Sequence, residues 1–216
     1  PVSDAAYSPA AARAYLARRA GRTDWQNEQL AVQHILTNFI GTGASVLDVP
    51  FGRGRLLDLY RERHLQVQGL EKSADMIAEA EKWLGPKLAG CRITLGDATA
   101  MPYEDRAFDL VVCFRFIPHI ISFGQARKTL RELHRVSRRQ VLVELGERPS
   151  GQYRRRQPTD LEKMESWLYP DEIAALLAES GLRIVYKTGP LKRATALTAR
   201  YVQNIGNWHA FLCEKV

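Results

Sequence analysis

Hydrophobic runs and amphipathic stretches alternate along most of this chain. Short runs rich in valine, leucine and isoleucine predict buried strands, and stretches with apolar residues every three or four positions predict helices between them. The predicted strands cover 44–49, 66–71, 91–95, 108–114 and 140–145, and the predicted helices cover 25–40, 54–63, 73–84 and 124–136. Because strands and helices alternate, the pattern predicts a parallel sheet with helices on both faces.

The two ends of the chain depart from this alternation. Ser8 and Pro9 are typical of a helix start, so a further helix is predicted to run to about Arg19. Near the other end, a helix that begins at Pro170 precedes two final strands, predicted at 181–186 and 208–213. The polar, irregular stretches 146–169 and 188–204 are interpreted as insertions.

Length and composition indicate one globular domain. The chain has 216 residues, enough for one α/β domain with a sizeable core and too few for two full enzyme domains. No apolar run approaches the ~20 residues that span a bilayer, and the first residues lack the pattern of a secretion signal. The three cysteines show no metal-ligand spacing, so we expect no metal site, no disulfide framework and a cytoplasmic location.

The chain is basic, with a formal net charge of +7 and a pI near 9.5. Such a balance suits an anionic ligand, a nucleic acid or an acidic membrane surface. It also suits a solvated basic face, and the dispersal of the arginines along the predicted helices favours that simpler interpretation.

A glycine-containing loop, Asp48-Val-Pro-Phe-Gly52-Arg-Gly54, follows the first predicted strand. Glycines at such a turn bring bare backbone close to a ligand. A dinucleotide fingerprint would need a third glycine where Leu57 stands, so NAD is not favoured. Glu71 ends the second predicted strand, where a carboxylate can accept hydrogen bonds from ribose hydroxyls.

The loop resembles the acidic-x-Gly-x-Gly-x-Gly loop of class I S-adenosylmethionine (AdoMet) methyltransferases, with Pro50 at the first glycine position. Glu71, then Gly96-Asp97-Ala98, then the segment from Met101 to Cys113 match the same superfamily in order and spacing. The chain is therefore identified as similar to this superfamily, well over about 45–145 and in outline elsewhere. The resemblance implies a Rossmann-like, seven-stranded, mostly parallel sheet with helices on both faces and a C-terminal antiparallel hairpin. It also implies an N-terminal helical lid at 1–43 and an AdoMet-binding domain at 44–216.

The resemblance implies that AdoMet is the cofactor and S-adenosylhomocysteine the product. Asp48 would orient backbone amides and the amino group of the cofactor, Glu71 would hold the ribose, and Asp97 and Ala98 would meet the adenine. Pro50 removes one N–H donor that could otherwise meet the methionine carboxylate. The predicted cofactor-binding residues are Asp48, Pro50, Gly52, Gly54, Glu71, Lys72, Asp97, Ala98, Phe114 and Arg115.

The segment Phe114-Arg-Phe-Ile-Pro-His119 resembles the stretch after the fourth strand in ubiquinone- and menaquinone-biosynthesis-like small-molecule methyltransferases. His119 is the candidate general base, because imidazole titrates near neutral pH, although a locally packed histidine is an equal alternative. Arg115 is predicted to reach the methionine carboxylate or an anionic substrate, or else to face solvent. The predicted substrate-binding residues are Tyr15, Phe116, His119, Tyr153 and Arg154.

These features predict a methyltransferase that acts on an O, N or C atom of a small molecule, with an anionic acceptor as one option. Methylation of RNA or protein is the alternative, supported by the basic charge and weakened by the lack of an added RNA-binding module. A non-catalytic interaction module with the same fold is the third alternative, favoured only by Pro50. The acceptor and the oligomeric state, monomer or homodimer, stay open.

Overall fold

The computed structural model describes residues 23–120, 122–148, 167–189 and 207–216. The helices are α1 (Thr23–Phe39), α2 (Leu57–Glu62), α3 (Ala74–Leu84), α4 (Phe123–Val136) and α5 (Pro170–Ala178). The strands are β1 (Ser45–Asp48), β2 (Gln66–Glu71), β3 (Arg92–Leu95), β4 (Phe108–Cys113), β5 (Ser137–Glu147), β6 (Leu182–Lys187) and β7 (Asn207–Lys215). Short 3-10 helices lie at Gly85–Leu88 and Ile117–His119.

The strands form a seven-stranded sheet in the order β3-β2-β1-β4-β5-β7-β6. The pairs β1–β2, β1–β4, β2–β3 and β4–β5 are parallel. Strand β7 lies between β5 and β6 and runs antiparallel to both. The predicted Rossmann-like sheet with a C-terminal antiparallel pair is therefore confirmed. Because the chain crosses from β3 to the far side of β1, the carboxyl ends of β1 and β4 flank the switch in strand order, where such sheets bind ligands.

Alternate side chains of each strand enter two separate cores, one on each face of the sheet. On one face, Val112 of β4 packs in the same cluster as residues of α1, α2 and α3. On the other face, Val111 packs with residues of α4 and α5. Both faces of the central strands β1 and β4 are thus covered, which explains why their sequences read as nearly continuous apolar runs.

Helix α1 falls within the range predicted as an N-terminal lid, and it packs on the sheet. Its residues Val32, Ile35 and Leu36 are fully buried in the core cluster that contains Val46 of β1. Their spacing places them on one helical face. Residues 1–22 lie outside the described residues, as do 149–166 and 190–204 of the two predicted insertions, so the lid and the insertions stay predictions.

The sequence places the start of β5 too late. The prediction begins this strand at Gln140 and leaves the polar residues 137–139 before it, but the strand begins at Ser137, directly after α4, and continues to Glu147. Ser137 is fully buried and pairs with Phe108 of β4, so pairing between the strands outweighs the polar character of these side chains.

Among the described residues, no helix is both long and apolar enough to cross a bilayer.

Candidate cofactor site at the carboxyl edge of the sheet

Glu71 joins the loop after β1 to the loop after β2. Its carboxylate is 4% exposed, and Oε2 accepts a hydrogen bond from the backbone N–H of Gly52 at 2.9 Å. The other oxygen, Oε1, accepts from the N–H groups of Lys72 at 2.9 Å and Ser73 at 3.1 Å. One side chain therefore fixes both loops with three charge-assisted hydrogen bonds, and carboxylate lone-pair positions remain for a further donor.

Phe51 anchors the glycine-containing loop under the end of the sheet. The peptide bond between Val49 and Pro50 is cis, and the backbone N–H of Phe51 donates to the carbonyl of Leu70 in β2 at 2.8 Å. The buried Phe51 ring leaves no room at Gly69, where a Cβ atom would lie 2.5 Å from Cδ2 of the ring. The loop is therefore positioned by an aromatic side chain that needs a glycine in the neighbouring strand.

The two glycines of the loop serve different purposes. Both have positive φ angles, +56° at Gly52 and +69° at Gly54, which favour glycine. A Cβ at Gly54 would lie 2.6 Å from Leu84 and 2.7 Å from the Phe51 ring, so Gly54 is needed for packing. A Cβ at Gly52 would meet nothing within 4 Å. The backbone at Gly52 is thus open on one side, as close approach of a ligand requires.

Asp97 lies after β3, beside the end of β2. Its Oδ1 accepts from the backbone N–H and the hydroxyl of Thr99, both at 2.8 Å, and its Oδ2 pairs with Nζ of Lys72 at 2.7 Å. The hydrogen bond from Lys72, followed by that from the Thr99 backbone, lowers the pKa of Asp97 to about 2. Asp97 is therefore an ionised acceptor at neutral pH. The structure brings together Lys72 and Asp97, two of the predicted cofactor residues, and buries the neighbouring Ala98.

A buried group of charges lies between α1 and the sheet at the same edge. Glu28 of α1 is 2% exposed, and its Oε2 accepts from Nη1 of Arg55 at 2.6 Å and from Nε of Arg115 at 3.2 Å. Its Oε1 pairs with Nη2 of Arg115. The Arg115 guanidinium, predicted to meet the cofactor or the substrate, is thus held by a carboxylate of the chain itself.

Two further carboxyl groups complete this group of charges. Asp48 at the end of β1 is buried, which raises its pKa to about 7, although the Arg55 guanidinium opposes the rise. Glu144 of β5 is fully buried and its Oε2 accepts from the backbone N–H of Arg115 at 2.8 Å. Burial, and then the nearby Glu28 carboxylate, raise the pKa of Glu144 to about 7. We call Glu28, Asp48, Arg55, Arg115 and Glu144 the charge cluster.

The predicted catalytic and acceptor residues that the structure describes follow β4. Phe114 is buried and Phe116 is half-buried, whereas His119 is exposed at the end of the second 3-10 helix. Arg115 adopts a positive φ of 57°, a conformation that is uncommon for a residue with a side chain. The side chain of His119 is therefore accessible to solvent, and its role as a general base stays a prediction. Tyr15, Tyr153 and Arg154 lie outside the described residues.

Glu28, Arg55 and Glu144 were not among the site residues predicted from the sequence. A signal for both acids was present. Glu28 lies four residues before Val32 and seven before Ile35, on the apolar face of α1. Glu144 interrupts the apolar run Val141-Leu-Val-Glu-Leu145. A charged residue at a core position is an indication of pairing or of function.

Comparisons with known proteins agree with this architecture. A family model described as a methyltransferase domain matches residues 46–140, and a search of curated proteins finds no sequence match. An S-adenosylmethionine-dependent methyltransferase from Clostridium acetobutylicum superimposes with a TM-score of 0.67 at 13% identity, over 91% of this chain and 94% of that chain. The cyclase SpnF superimposes with a TM-score of 0.66 at 17% identity, over 89% of this chain and 80% of that chain.

A third similar structure is the magnesium protoporphyrin IX methyltransferase from Synechocystis PCC 6803, determined with bound AdoMet. It gives a TM-score of 0.62 at 13% identity, over 89% of this chain and 79% of that chain. At such identities the structural likeness establishes the fold. Residues 46–140 thus match a methyltransferase-domain model, and the chain has the fold of these AdoMet-dependent methyltransferase structures, as the resemblance in the sequence implies. The predicted AdoMet cofactor is consistent with these matches, and the ubiquinone- and menaquinone-like subtype stays a prediction.

Proposed function

We propose that the protein binds AdoMet and transfers its methyl group to an O, N or C atom of a small, anionic molecule. The observation that carries this proposal is the convergence of Glu71, Asp97 and the open backbone of Gly52 on one edge of the sheet. Two carboxylates and an exposed stretch of backbone suit a nucleoside that presents hydroxyl and amine donors.

The residues present fit this cofactor. Glu71 would accept hydrogen bonds from the ribose hydroxyls with the lone-pair positions that its three backbone donors leave over. Asp97 would accept from the adenine amine, next to or in exchange with the Lys72 ammonium. AdoMet, when bound, supplies an activated methyl group for an in-line displacement. The contribution of the chain is to position the reactants and to exclude water.

The acceptor side of the site is assigned to the segment after β4. His119 is exposed there and would remove a proton from an acceptor hydroxyl, whereas an acceptor without such a proton needs no base. A small-molecule acceptor of the ubiquinone- and menaquinone-like type is supported by the resemblance of residues 114–119. The net charge of +7 supports an anionic acceptor.

The cysteines bear on the location of the protein. The three cysteines are free thiols, with Cys113 and Cys213 buried, which supports the reducing environment of the cytoplasm. We propose a monomer or a homodimer. RNA or protein methylation is the second candidate function, and the same basic charge supports it.

The first test is cofactor binding. We expect calorimetric titration of the wild-type protein to show binding of AdoMet and S-adenosylhomocysteine and no binding of NAD. Glu71→Gln should weaken AdoMet by about 1–3 kcal/mol, because an amide nitrogen would face backbone donors and one ribose acceptor would be lost. Glu62→Gln is the matched control on the exposed end of α2. Binding of NAD as tight as that of AdoMet would contradict the proposal.

The second test concerns His119. With small hydroxylated carboxylic acids as acceptors, His119→Gln should lower kcat by roughly 10²–10⁴-fold, the usual contribution of a general base. AdoMet affinity should not change, and the exposed His34→Gln variant should retain full activity. The measurement is the rate of S-adenosylhomocysteine formation. If His119→Gln retains the wild-type rate with an acceptor that turns over, His119 is a surface histidine and not a base.

A further inference from the structure

The charge cluster holds three carboxyl groups and two guanidinium groups. Arg55 and Arg115 both pair with Glu28, whose carboxylate is therefore compensated. Neither Asp48 nor Glu144 forms an ion pair with a guanidinium in the described residues, although Arg55 opposes the rise in the pKa of Asp48, and Arg115 and then Arg55 oppose that of Glu144. When all three acids are ionised, the cluster lacks one positive charge. Because buried charges are normally paired, one further cation is needed to balance the charge cluster.

Glu144 shows where that cation belongs. Its Oε2 is satisfied by the Arg115 N–H, but its Oε1 is buried and has no hydrogen-bond partner within the described part of the chain. A buried carboxylate oxygen without a partner is costly and needs an explanation. The buried Nη2 of Arg55 also has no hydrogen-bond partner within that part, but Arg55 and Arg115 already pair with Glu28, which leaves the cluster without a further cation for this oxygen.

The position of Glu144 relates this oxygen to the cofactor site. Glu144 follows Val143, which pairs with Cys113 at the end of β4, and it hydrogen-bonds to the segment that follows that strand. By strand alternation it lies on the same face of the sheet as Leu142, Val112 and Asp48. The unpartnered oxygen thus belongs to a residue near the carboxyl end of the parallel strands. It lies on the same face of the sheet as Asp48, which is predicted to bind the cofactor.

We propose that Glu144 is the counter-ion for the positively charged part of AdoMet. The inference rests on the proposed function and deepens it by assigning a residue to the charge of the cofactor. The methionine portion of AdoMet carries two cations, the sulfonium and the α-ammonium group, and either would restore the balance of the cluster. The product S-adenosylhomocysteine keeps the ammonium and loses the sulfonium charge, which makes the two sources distinguishable.

The proposal also gives the binding a pH dependence. The groups that face Glu144 are Glu28 from α1, Arg55 from the loop after β1 and Arg115 from the segment after β4. A carboxyl group with a pKa near 7 is partly protonated at neutral pH, and a bound cation favours its ionised form. AdoMet binding should therefore release part of a proton at pH 7 and should tighten as the pH rises from 6 to 8.

The experiment is calorimetric titration of wild type and Glu144→Gln with AdoMet and with S-adenosylhomocysteine at pH 8. We expect Glu144→Gln to bind AdoMet about tenfold more weakly, the effect of losing a hydrogen bond to a charged group. A loss confined to AdoMet identifies the sulfonium as the partner, and an equal loss for both ligands identifies the ammonium. Glu214→Gln, on β7 at the opposite edge of the sheet, is the matched control with unchanged affinity.

Three results separate the possible failures. If the wild-type protein binds neither ligand, the proposed function itself is wrong, and the inference with it. If wild type binds and a folded Glu144→Gln binds both ligands equally well, Glu144 is a structural acid and the inference is overturned. If Glu144→Gln does not fold, the Glu144→Asp variant decides, because it keeps the charge and withdraws the carboxylate by one methylene. A folded Glu144→Asp that binds both ligands as tightly as wild type then overturns the proposal.

Discussion

Replacement of Glu28 by alanine should lower the free energy of unfolding by about 3 kcal/mol at pH 6, as removal of one partner from a buried ion pair usually does. The change would leave Arg55 and Arg115 together, 22% and 17% exposed, without the carboxylate that they share. The measurement is urea unfolding followed by circular dichroism. Glu179→Ala is the control, because its ion pair with Arg127 is exposed, and we expect a change within about 0.5 kcal/mol.

The loss should be smaller at pH 8, by on the order of 1 kcal/mol. The raised pKa values of Asp48 and Glu144 near 7 keep both groups partly protonated at pH 6 and ionised at pH 8. In the Glu28→Ala variant, these ionised groups can compensate the two arginines. In the wild-type protein they make the native state bind more protons than the unfolded state between about pH 4.5 and 7, so stability falls over that window as pH rises. A loss that is equal at both pH values would contradict the shared-charge interpretation.

Substitution of Gly69 by alanine should cost about 2 kcal/mol of stability and should also weaken AdoMet binding. The new methyl group would overlap the Phe51 ring, with 2.5 Å to Cδ2 and 2.9 Å to Cβ, so Phe51 and its loop must move. Because Gly52 of that loop bonds to Glu71, the displacement should reach the predicted ribose site. Urea unfolding and AdoMet titration of the same variant measure the two effects.

Gly41→Ala is the matched control for this prediction. A Cβ at Gly41 would meet no atom within 4 Å, and its φ is not in the left-handed region, so we expect little change. The double variant Gly69→Ala/Phe51→Ala should be more stable than the sum of the two single changes predicts, because removal of the ring makes room for the methyl group. Strict additivity would show that the two residues do not conflict.

The alternation of the fold could be predicted because it rests on local patterns. The apolar runs of β1 and β4 are buried on both faces, and the helices of the fold carry one apolar face each, so period and length identify them. The loop positions of Glu71 and Asp97 followed from a family resemblance at fixed spacing. The early start of β5 could not be read from Ser137-Arg-Arg-Gln140, because pairing with β4, a non-local interaction, decides it.

The charge cluster was harder to predict for a different reason. Glu28 and Arg115 are 87 positions apart, and nothing in a single sequence specifies which acid meets which arginine. The sequence does show charged residues, Glu28 and Glu144, at positions that the apolar pattern assigns to the core. A charged residue at a core position indicates only that some partner exists. The pairing itself depends on how α1 crosses the sheet, which is a tertiary property.

The position of β7 has a consequence for how this chain reaches its folded state. Strand β7 fills the place between β5 and β6, and its residues Ala210 and Leu212 enter the same core cluster as Val32 and Ile35 of α1. On a ribosome, α1 is made first and must wait for residues 207–215 before that core is complete. Because chains are synthesised at about 5–20 residues per second, the apolar face of α1 stays uncovered by β7 for seconds, an interval in which a chaperone can bind it.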